Sequence, residues 1–261
     1  MLLEGKRVLI TGVLTEGSIA YHSAKVCIEH GADVVLTGFG RGLRLTERTA
    51  KRLSPDIEVL ELDITDEGQM ASVVAYLDDK WGAIDGVLHS IGFAPEDALG
   101  GNFLFTPPES AQTAFMVSAF SLKTLAVAFM PLMEKAGGGS VVTLDFDNSQ
   151  AWPTYDWMGV AKSALVSITR YLARDLGPKK IRVNAVSAGP LATVAAKSVP
   201  GFMLLKDAWD SRSPLVWDTS NPEPVANMVA FLLSDMASMT TGEQVHVDGG
   251  LHAVAAGMPK E

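Results

Sequence analysis

Arg7-Val-Leu-Ile-Thr11-Gly12-Val-Leu-Thr-Glu-Gly17-Ser18-Ile19-Ala20 is an apolar run that breaks at a glycine turn and passes straight into a helical pattern. Arg7 to Gly12 reads as a strand, and Ile19 to His30 as a helix ended by Gly31. At such a turn, backbone N–H groups and the positive end of a helix can receive the pyrophosphate of a dinucleotide. Gly12 permits the tight turn, Gly17 lets the backbone approach, and Ser18 offers a hydroxyl to a phosphate. Ile19 and Ala20 stand where a third glycine is usual. Alone, this stretch fits a plain strand–turn–helix connection equally well, so its meaning depends on the rest of the chain.

Beyond residue 30 the same alternation repeats. Further strands are expected at Asp33–Gly38, Ile57–Asp63, Gly86–Gly92, Ser140–Phe146, Arg182–Val186 and Gln244–Asp248, with helical patterns such as 113–133 and 162–176 between them. Strands that are continuously Val, Ile and Leu, separated by helices, mean a parallel sheet buried on both faces. The expected fold is α/β: a Rossmann-like, doubly wound, seven-stranded parallel sheet with helices on both faces. No repeat, low-complexity block or linker divides residues 1–261, so one domain is expected. Periodicity is weakest over about 191–222, where Pro200, Gly201 and Pro214 mix with large apolar residues, and this stretch reads as a substrate-binding flap.

Bulk properties narrow the function. A net charge of −9 argues against a nucleic-acid partner, because phosphate neutralisation by Lys and Arg dominates such binding. The longest apolar stretches are broken by charges or glycine before ~20 residues, so no membrane span is expected. The N-terminus lacks a signal-peptide layout, and the lone Cys27 has no partner for a bridge, which fits a reducing cytoplasm. His89 and His246 lie inside strands and read as satisfied sheet residues. No Cys, His and carboxylate cluster has ligand spacing, so no metal is expected.

The cofactor reading strengthens at the other strand ends. Asp63-Ile64 ends strand three, where a carboxylate and a backbone amide can read adenine. Ser90-Ile91-Gly92 ends strand four, where small residues let a ribose lie against the backbone. Gly189-Pro190-Leu191 and Thr193 follow strand six, positioned for a nicotinamide amide and a phosphate. All sit at the carboxyl edge, where ligands bind in such sheets. Asp63 as a helix N-cap and Ser90 as a turn residue would each be ordinary alone; their coincidence on one edge counts. Strand two ends in Gly38-Phe39-Gly40-Arg41, without the acidic residue that binds a 2′-hydroxyl. Phe39 can stack on adenine and Arg41 can accept a 2′-phosphate, so charge alone leaves NADPH open.

After strand five comes Asp145-Phe146-Asp-Asn-Ser-Gln-Ala-Trp-Pro-Thr-Tyr155-Asp-Trp-Met158-Gly-Val-Ala-Lys162. The ordinary short-chain dehydrogenase/reductase pattern places Tyr four residues before Lys. Here Met158 holds that place and cannot donate a proton, while Tyr155 lies seven before. On a continuous helix, seven steps put both side chains near one face but ~10 Å apart. They would meet through a shared cofactor rather than directly. A tyrosine at a strand–helix junction is more often a packing residue, and only the surrounding pattern promotes this one.

That spacing, with Gly12…Ser18-Ile-Ala20, His89-Ser-Ile-Gly-Phe93 and Ala188-Gly-Pro190, resembles the enoyl-acyl-carrier-protein reductases. Leu36-Thr-Gly-Phe39, Asp145-Phe146-Asp147, Tyr155 through Leu165 and Trp209-Asp-Ser-Arg212 look closest to the mycobacterial type of type II fatty-acid synthesis. The resemblance runs over nearly the whole chain. It implies reduction of a trans-2-enoyl thioester on acyl carrier protein or coenzyme A, with hydride from NADH to the β-carbon. It further implies that Tyr155 stabilises the enolate, Lys162 binds ribose hydroxyls and Phe146 packs beside the thioester. Ser18, Ile19, Phe39, Asp63, Ile64, Ser90, Gly92, Lys162 and Thr193 match cofactor-contacting positions. Tyr155, Met158, Phe146, Met203 and Leu204 are expected against the substrate. Gly40 departs from the acidic residue expected at strand two.

Between Leu191 and Trp217, Val194, Val199, Phe202, Met203, Leu204, Leu205 and Trp209 can close over an acyl chain or simply pack the core. The segment looks shorter than in the long-chain mycobacterial type, which leans toward medium substrates. Acyl carrier proteins are acidic, and Lys197, Lys206 and Arg212 are candidates for a docking patch. The resemblance implies a homotetramer, and the apolar stretch after Gly249 invites burial against another subunit. Two rivals remain at this point: a carbonyl-reducing short-chain dehydrogenase, disfavoured by Met158, and a non-catalytic dinucleotide sensor, which would need neither Tyr155 nor Lys162.

Overall fold

A computed structural model describes residues 1–197 and 199–256. In chain order its elements are β1 (Arg7–Ile10), α1 (Ile19–Glu29), β2 (Asp33–Gly38), α2 (Leu43–Ala50), β3 (Glu58–Glu61), α3 (Glu67–Trp81), β4 (Gly86–His89), α4 (Pro108–Phe115), α5 (Ser121–Lys135), β5 (Gly139–Asp145), α6 (Asp156–Leu176), β6 (Ile181–Ala188), α7 (Val194–Lys197), α8 (Phe202–Arg212), α9 (Glu223–Leu233) and β7 (Gln244–Val247). All seven strands join one parallel sheet in the order β3-β2-β1-β4-β5-β6-β7. This is the doubly wound fold expected from the sequence.

Why the strands are apolar throughout is visible in β1. Val8 and Ile10 point to the layer containing α1 and α9, and Leu9 points to the layer containing α3, α5 and α6. Successive strand residues face opposite sides, so a strand covered on both faces has no polar position to spare. Most strand bounds shift by one to three residues from expectation. Strand β1 stops at Ile10, β3 spans only Glu58–Glu61 and β4 stops at His89, because the sheet's hydrogen bonds end where the chains splay into the crevice. Strand β6 instead continues to Ala188, paired with β5 as far as Ser187 and with β7 from Ala185 to Ala188.

Two helical regions differ from the sequence reading. The weakly periodic stretch 191–222 contains α7 and α8. Helix α8 buries only Leu205 and Trp209, one turn apart, so its apolar period is too sparse to announce a helix. The expected 113–133 helix runs from Pro108 to Lys135, with a π-helical segment, Met116–Phe120, joining α4 to α5. It is long and apolar enough to cross a membrane, yet 44% of its most apolar window is buried inside this fold, against α3, α6 and the sheet. Here it is a core helix.

Candidate active site

Strand order reverses between β1 and β4, which opens a crevice at their carboxyl ends. Gly12 and Ser90 frame it. Thr11 Oγ1 donates to Leu88 O at 3.0 Å and accepts from Ser90 N at 2.9 Å, tying the two ends together. Ser18 caps α1: its Oγ accepts from Tyr21 N at 3.3 Å and donates to Thr15 O at 2.8 Å. The first turn of α1 carries no acidic residue, so the positive helix end beside Gly17, Ser18 and Ile19 is not neutralised. An anion fits there.

Around this crevice the candidate cofactor residues are gathered at one edge. Phe39 follows β2 and is 57% exposed, free to present its ring. Asp63 is not the N-cap of α3; Asp66 is, accepting from Gly68 N and Gln69 N. The Asp63 carboxylate instead accepts from Thr65 N and Oγ1, and Asp63 N donates to Gln69 Oε1, leaving Ile64 beside it. Ser90, Ile91 and Gly92 follow β4 and are at least partly exposed. Gly189, Pro190 and Leu191 are buried after β6. A Cβ on Gly189 would lie 2.7 Å from both Trp209 Nε1 and Trp217 Cε2, so only glycine lets these indoles close over the strand end. Thr193 Oγ1 accepts from Ala196 N at 3.0 Å, which leaves its proton to donate to a phosphate.

Tyr155 and Lys162 stand at the start of α6 and two turns along it. The Tyr155 ring is buried against Phe146, with centroids 5.1 Å apart. Lys162 reaches back to β5, donating from Nζ to Leu144 O at 2.8 Å. Met158 lies between them, also buried. Burial, then the nearby charge of Asp145, hold the Tyr155 hydroxyl above its ordinary pKa, so it stays a donor. Burial lowers the pKa of Lys162, with Asp145 pulling the other way. His89 is fully buried between Thr143 Oγ1 and Ser121 Oγ, each at 2.8 Å. Burial and the Lys162 charge push its pKa down to about 3, so it is a neutral sheet residue. His246 stacks on His252 at 3.8 Å, and His252 pairs with Asp248. Among the described residues no group of three His, Cys, Asp or Glu can hold a metal ion.

Sequence reasoning missed three features. Asp145 is buried beside Lys162; its Oδ2 accepts from Asn148 Nδ2 and Gln244 Nε2, while Oδ1 has no partner. Ser187, directly across on β6, has a buried Oγ equally without a partner. Unpaired buried polar atoms are rare and mark a place where a ligand or water belongs. The place of Asp145 beside Lys162 fits the hydroxyl-rich ribose of a dinucleotide. Third, Trp152 and Trp209 pack on Phe146. A single Trp in a loop carries no signal of its partner, so only the fold could reveal this. Met203 and Leu204, expected against the substrate, are 59% and 52% exposed on α8, whose buried residues are Leu205 and Trp209. A groove between β3 and α3, lined by Leu60, Asp66 and Tyr76, does not reach Tyr155 or Lys162.

A doubly wound sheet with a buried tyrosine and a partly buried lysine beside its switch-point crevice defines a dinucleotide-dependent reductase of the short-chain dehydrogenase/reductase class. Residues 12–252 match the family described as enoyl-(acyl carrier protein) reductase, and the chain belongs to that family. It is 44% identical to the NADH enoyl-acyl-carrier-protein reductase of Mycolicibacterium smegmatis, over 95% of this chain and 97% of that protein. The corresponding protein of Mycobacterium avium is 41% identical over the same shares. The one from Bacillus subtilis is 37% identical over 97% of this chain and 98% of the relative.

Proposed function

We propose that Tyr155 and Lys162 carry the reduction of a trans-2-enoyl thioester, delivered on acyl carrier protein, to the saturated acyl thioester. The enzyme is an NADH-dependent enoyl-acyl-carrier-protein reductase of fatty-acid synthesis, as its relatives' names describe them. When bound, the reduced nicotinamide supplies the hydride that adds to the β-carbon. Negative charge then develops on the thioester oxygen, and the Tyr155 hydroxyl, held protonated by burial, donates a hydrogen bond to it; a proton from solvent water then adds at the α-carbon and restores the thioester carbonyl of the saturated product. The Lys162 ammonium leaves Leu144 O or shares with it to hold the ribose hydroxyls, and its charge favours the developing enolate. Asp145 Oδ1 and Ser187 Oγ supply further partners for those hydroxyls. Gly12, Ser18, Ile19 and Thr193 receive the phosphates, and Phe39, Asp63 and Ile64 the adenine. Ser90, Ile91 and Gly92 line the ribose, and Gly189, Pro190 and Leu191 the nicotinamide amide.

The observation that carries this reading is Met158 buried one turn before Lys162, with Tyr155 seven residues away and packed on Phe146. A carbonyl reductase needs its tyrosine where Met158 stands. The test is cofactor oxidation with a trans-2-enoyl thioester beside a 3-oxo thioester, each with NADH and with NADPH. NADH with the enoyl substrate is expected to be fastest; faster turnover of the oxo compound overturns the assignment.

Residues 191–222 act as the flap over the substrate. For carrier-protein docking, Lys197, Lys206 and Arg212 are the candidate cations. Arg212 Nη2 donates to Val254 O, and Lys206 pairs with Asp210, which leaves exposed Lys197 as the principal cation. Charge reversal at Lys197 should weaken carrier-protein substrates and spare coenzyme A esters. The exposed apolar Phe115, Met116 and Val127 on the long helix, and Val160 on α6, suit burial between subunits of a homotetramer. Cys27, buried without a partner thiol, suits a reducing cytoplasm.

A further inference from the structure

Phe146, Trp152 and Trp209 form a closed triangle of rings. Their centroids lie 5.7 Å apart for Phe146–Trp152, 5.5 Å for Phe146–Trp209 and 5.0 Å for Trp152–Trp209. At these separations the rings touch, since carbon atoms in contact are already ~3.5–4 Å apart. A hydrocarbon chain cannot pass between them. Tyr155 joins the triangle through Phe146. An acyl chain that runs from the Tyr155 hydroxyl along Phe146 under the flap would meet this wall.

The three rings are not equally placed. Phe146 directly follows β5 and is buried. Trp209 is buried on α8, its Nε1 donating to Asp248 O at 2.9 Å. Trp152 is half-buried and sits on the loop between β5 and α6, at the boundary between the core and the surface. That loop is tightly held. Trp152 Nε1 donates to Asp147 Oδ2 at 3.1 Å, and Asp147 Oδ1 accepts from Ser149 N and Oγ. Thr154 Oγ1 donates to Pro200 O on the flap, and Gly100 N donates to Thr154 O at 2.9 Å. Asp156 Oδ2 accepts from Gly101 N and Asn102 N. Thr154 and Asp156 have φ of +63° and +41°, and β-branched Thr154 adopts this left-handed conformation only when its surroundings impose it. Trp152 is thus mounted on a strained, pinned loop and behaves as a fixed wall.

We propose that Trp152 determines the acyl length this reductase accepts, closing the far end of the site to long chains. The proposal rests on the enoyl reductase reading and names its substrate class as short to medium acyl thioesters. Because Trp152 is the ring nearest the surface, its removal opens a path from the site to solvent beside the flap.

The test compares kcat/KM for trans-2-octenoyl and trans-2-hexadecenoyl thioesters in the parent and in Trp152→Ala, with the NADH dissociation constant measured alongside. The parent is expected to favour the octenoyl substrate. Trp152→Ala is expected to raise the hexadecenoyl-to-octenoyl ratio on the order of tenfold or more, since single methylenes in apolar pockets already discriminate at that level. NADH binding should be unchanged. Trp152→Leu keeps apolar packing while removing a ring, and it should move the ratio the same way if the alanine variant does not fold. An unchanged ratio in a folded, active variant, or a parent that handles both lengths equally, overturns the proposal. A parent that reduces neither enoyl thioester fails at the preceding step and overturns the reading beneath it.

Discussion

A Cβ atom on Gly12 would lie 1.9 Å from the carbonyl oxygen of Ser90, so the two strand ends that frame the crevice meet through a glycine. Gly12 also has φ of +80°, which disfavours any side chain. Gly12→Ala is expected to push the ends of β1 and β4 apart, lowering stability by about 1–3 kcal/mol and weakening NADH binding. Urea unfolding and fluorescence titration with NADH check it. Parent values in both would mean the strand ends separate without cost.

Tyr155→Phe removes one hydroxyl and keeps the ring packed on Phe146. Turnover of enoyl thioester should fall on the order of 10²–10³ in kcat/KM. The dissociation constant for NADH should stay within ~3-fold, because uniform binding is untouched. A variant as active as the parent would remove Tyr155 from the mechanism.

Lys162→Met keeps the buried stem and deletes the ammonium. Loss of a charged hydrogen bond to a ribose hydroxyl should weaken NADH on the order of tenfold to hundredfold. Direct titration of NADH distinguishes this from a purely chemical role, which would leave binding intact.

Asp145 supplies a pH signature. Burial, against the Lys162 charge, pushes its carboxyl up to about 7, compared with 3.8 for an ordinary aspartate. Between those values the folded protein holds a proton that the unfolded chain has released. Its contribution is complete below about pH 4 and is lost as pH rises through 7. Asparagine loses nothing over that range. Asp145→Asn should therefore match the parent only below about pH 4 and exceed it by a margin that grows with pH to on the order of a few kcal/mol at pH 8–9. Urea titrations across pH decide it; a gap independent of pH would show that Asp145 does not titrate there.

Much of the fold was legible because its signals are local. Strand β2 was expected at Asp33–Gly38 and is found there, since an apolar β-branched run between Gly31 and a glycine turn has no other good conformation. Strand β3 and the helix α8 were harder. Leu60 and Val59 pack at an edge where the ladder is short, and α8 hides its register behind two buried residues. For the same reason the run Phe202 to Leu205 shows that something apolar is buried nearby, not that Leu205 is the one buried.

The sequence by itself determined the doubly wound sheet, the glycine turn at its switch point and the pairing of Tyr155 with Lys162 at a spacing of seven. Period, turn chemistry and helix geometry act over a few residues, and a linear string records them. Tertiary structure alone decided that Asp145 and Ser187 lie side by side with Oδ1 and Oγ unpaired, and that Trp152, fifty-seven positions before Trp209, closes a triangle of rings with it. Those relations join residues on separate elements. Only close packing of the sheet against α6 and α8 brings them within contact, where desolvation and ring-on-ring exclusion set what the site can hold.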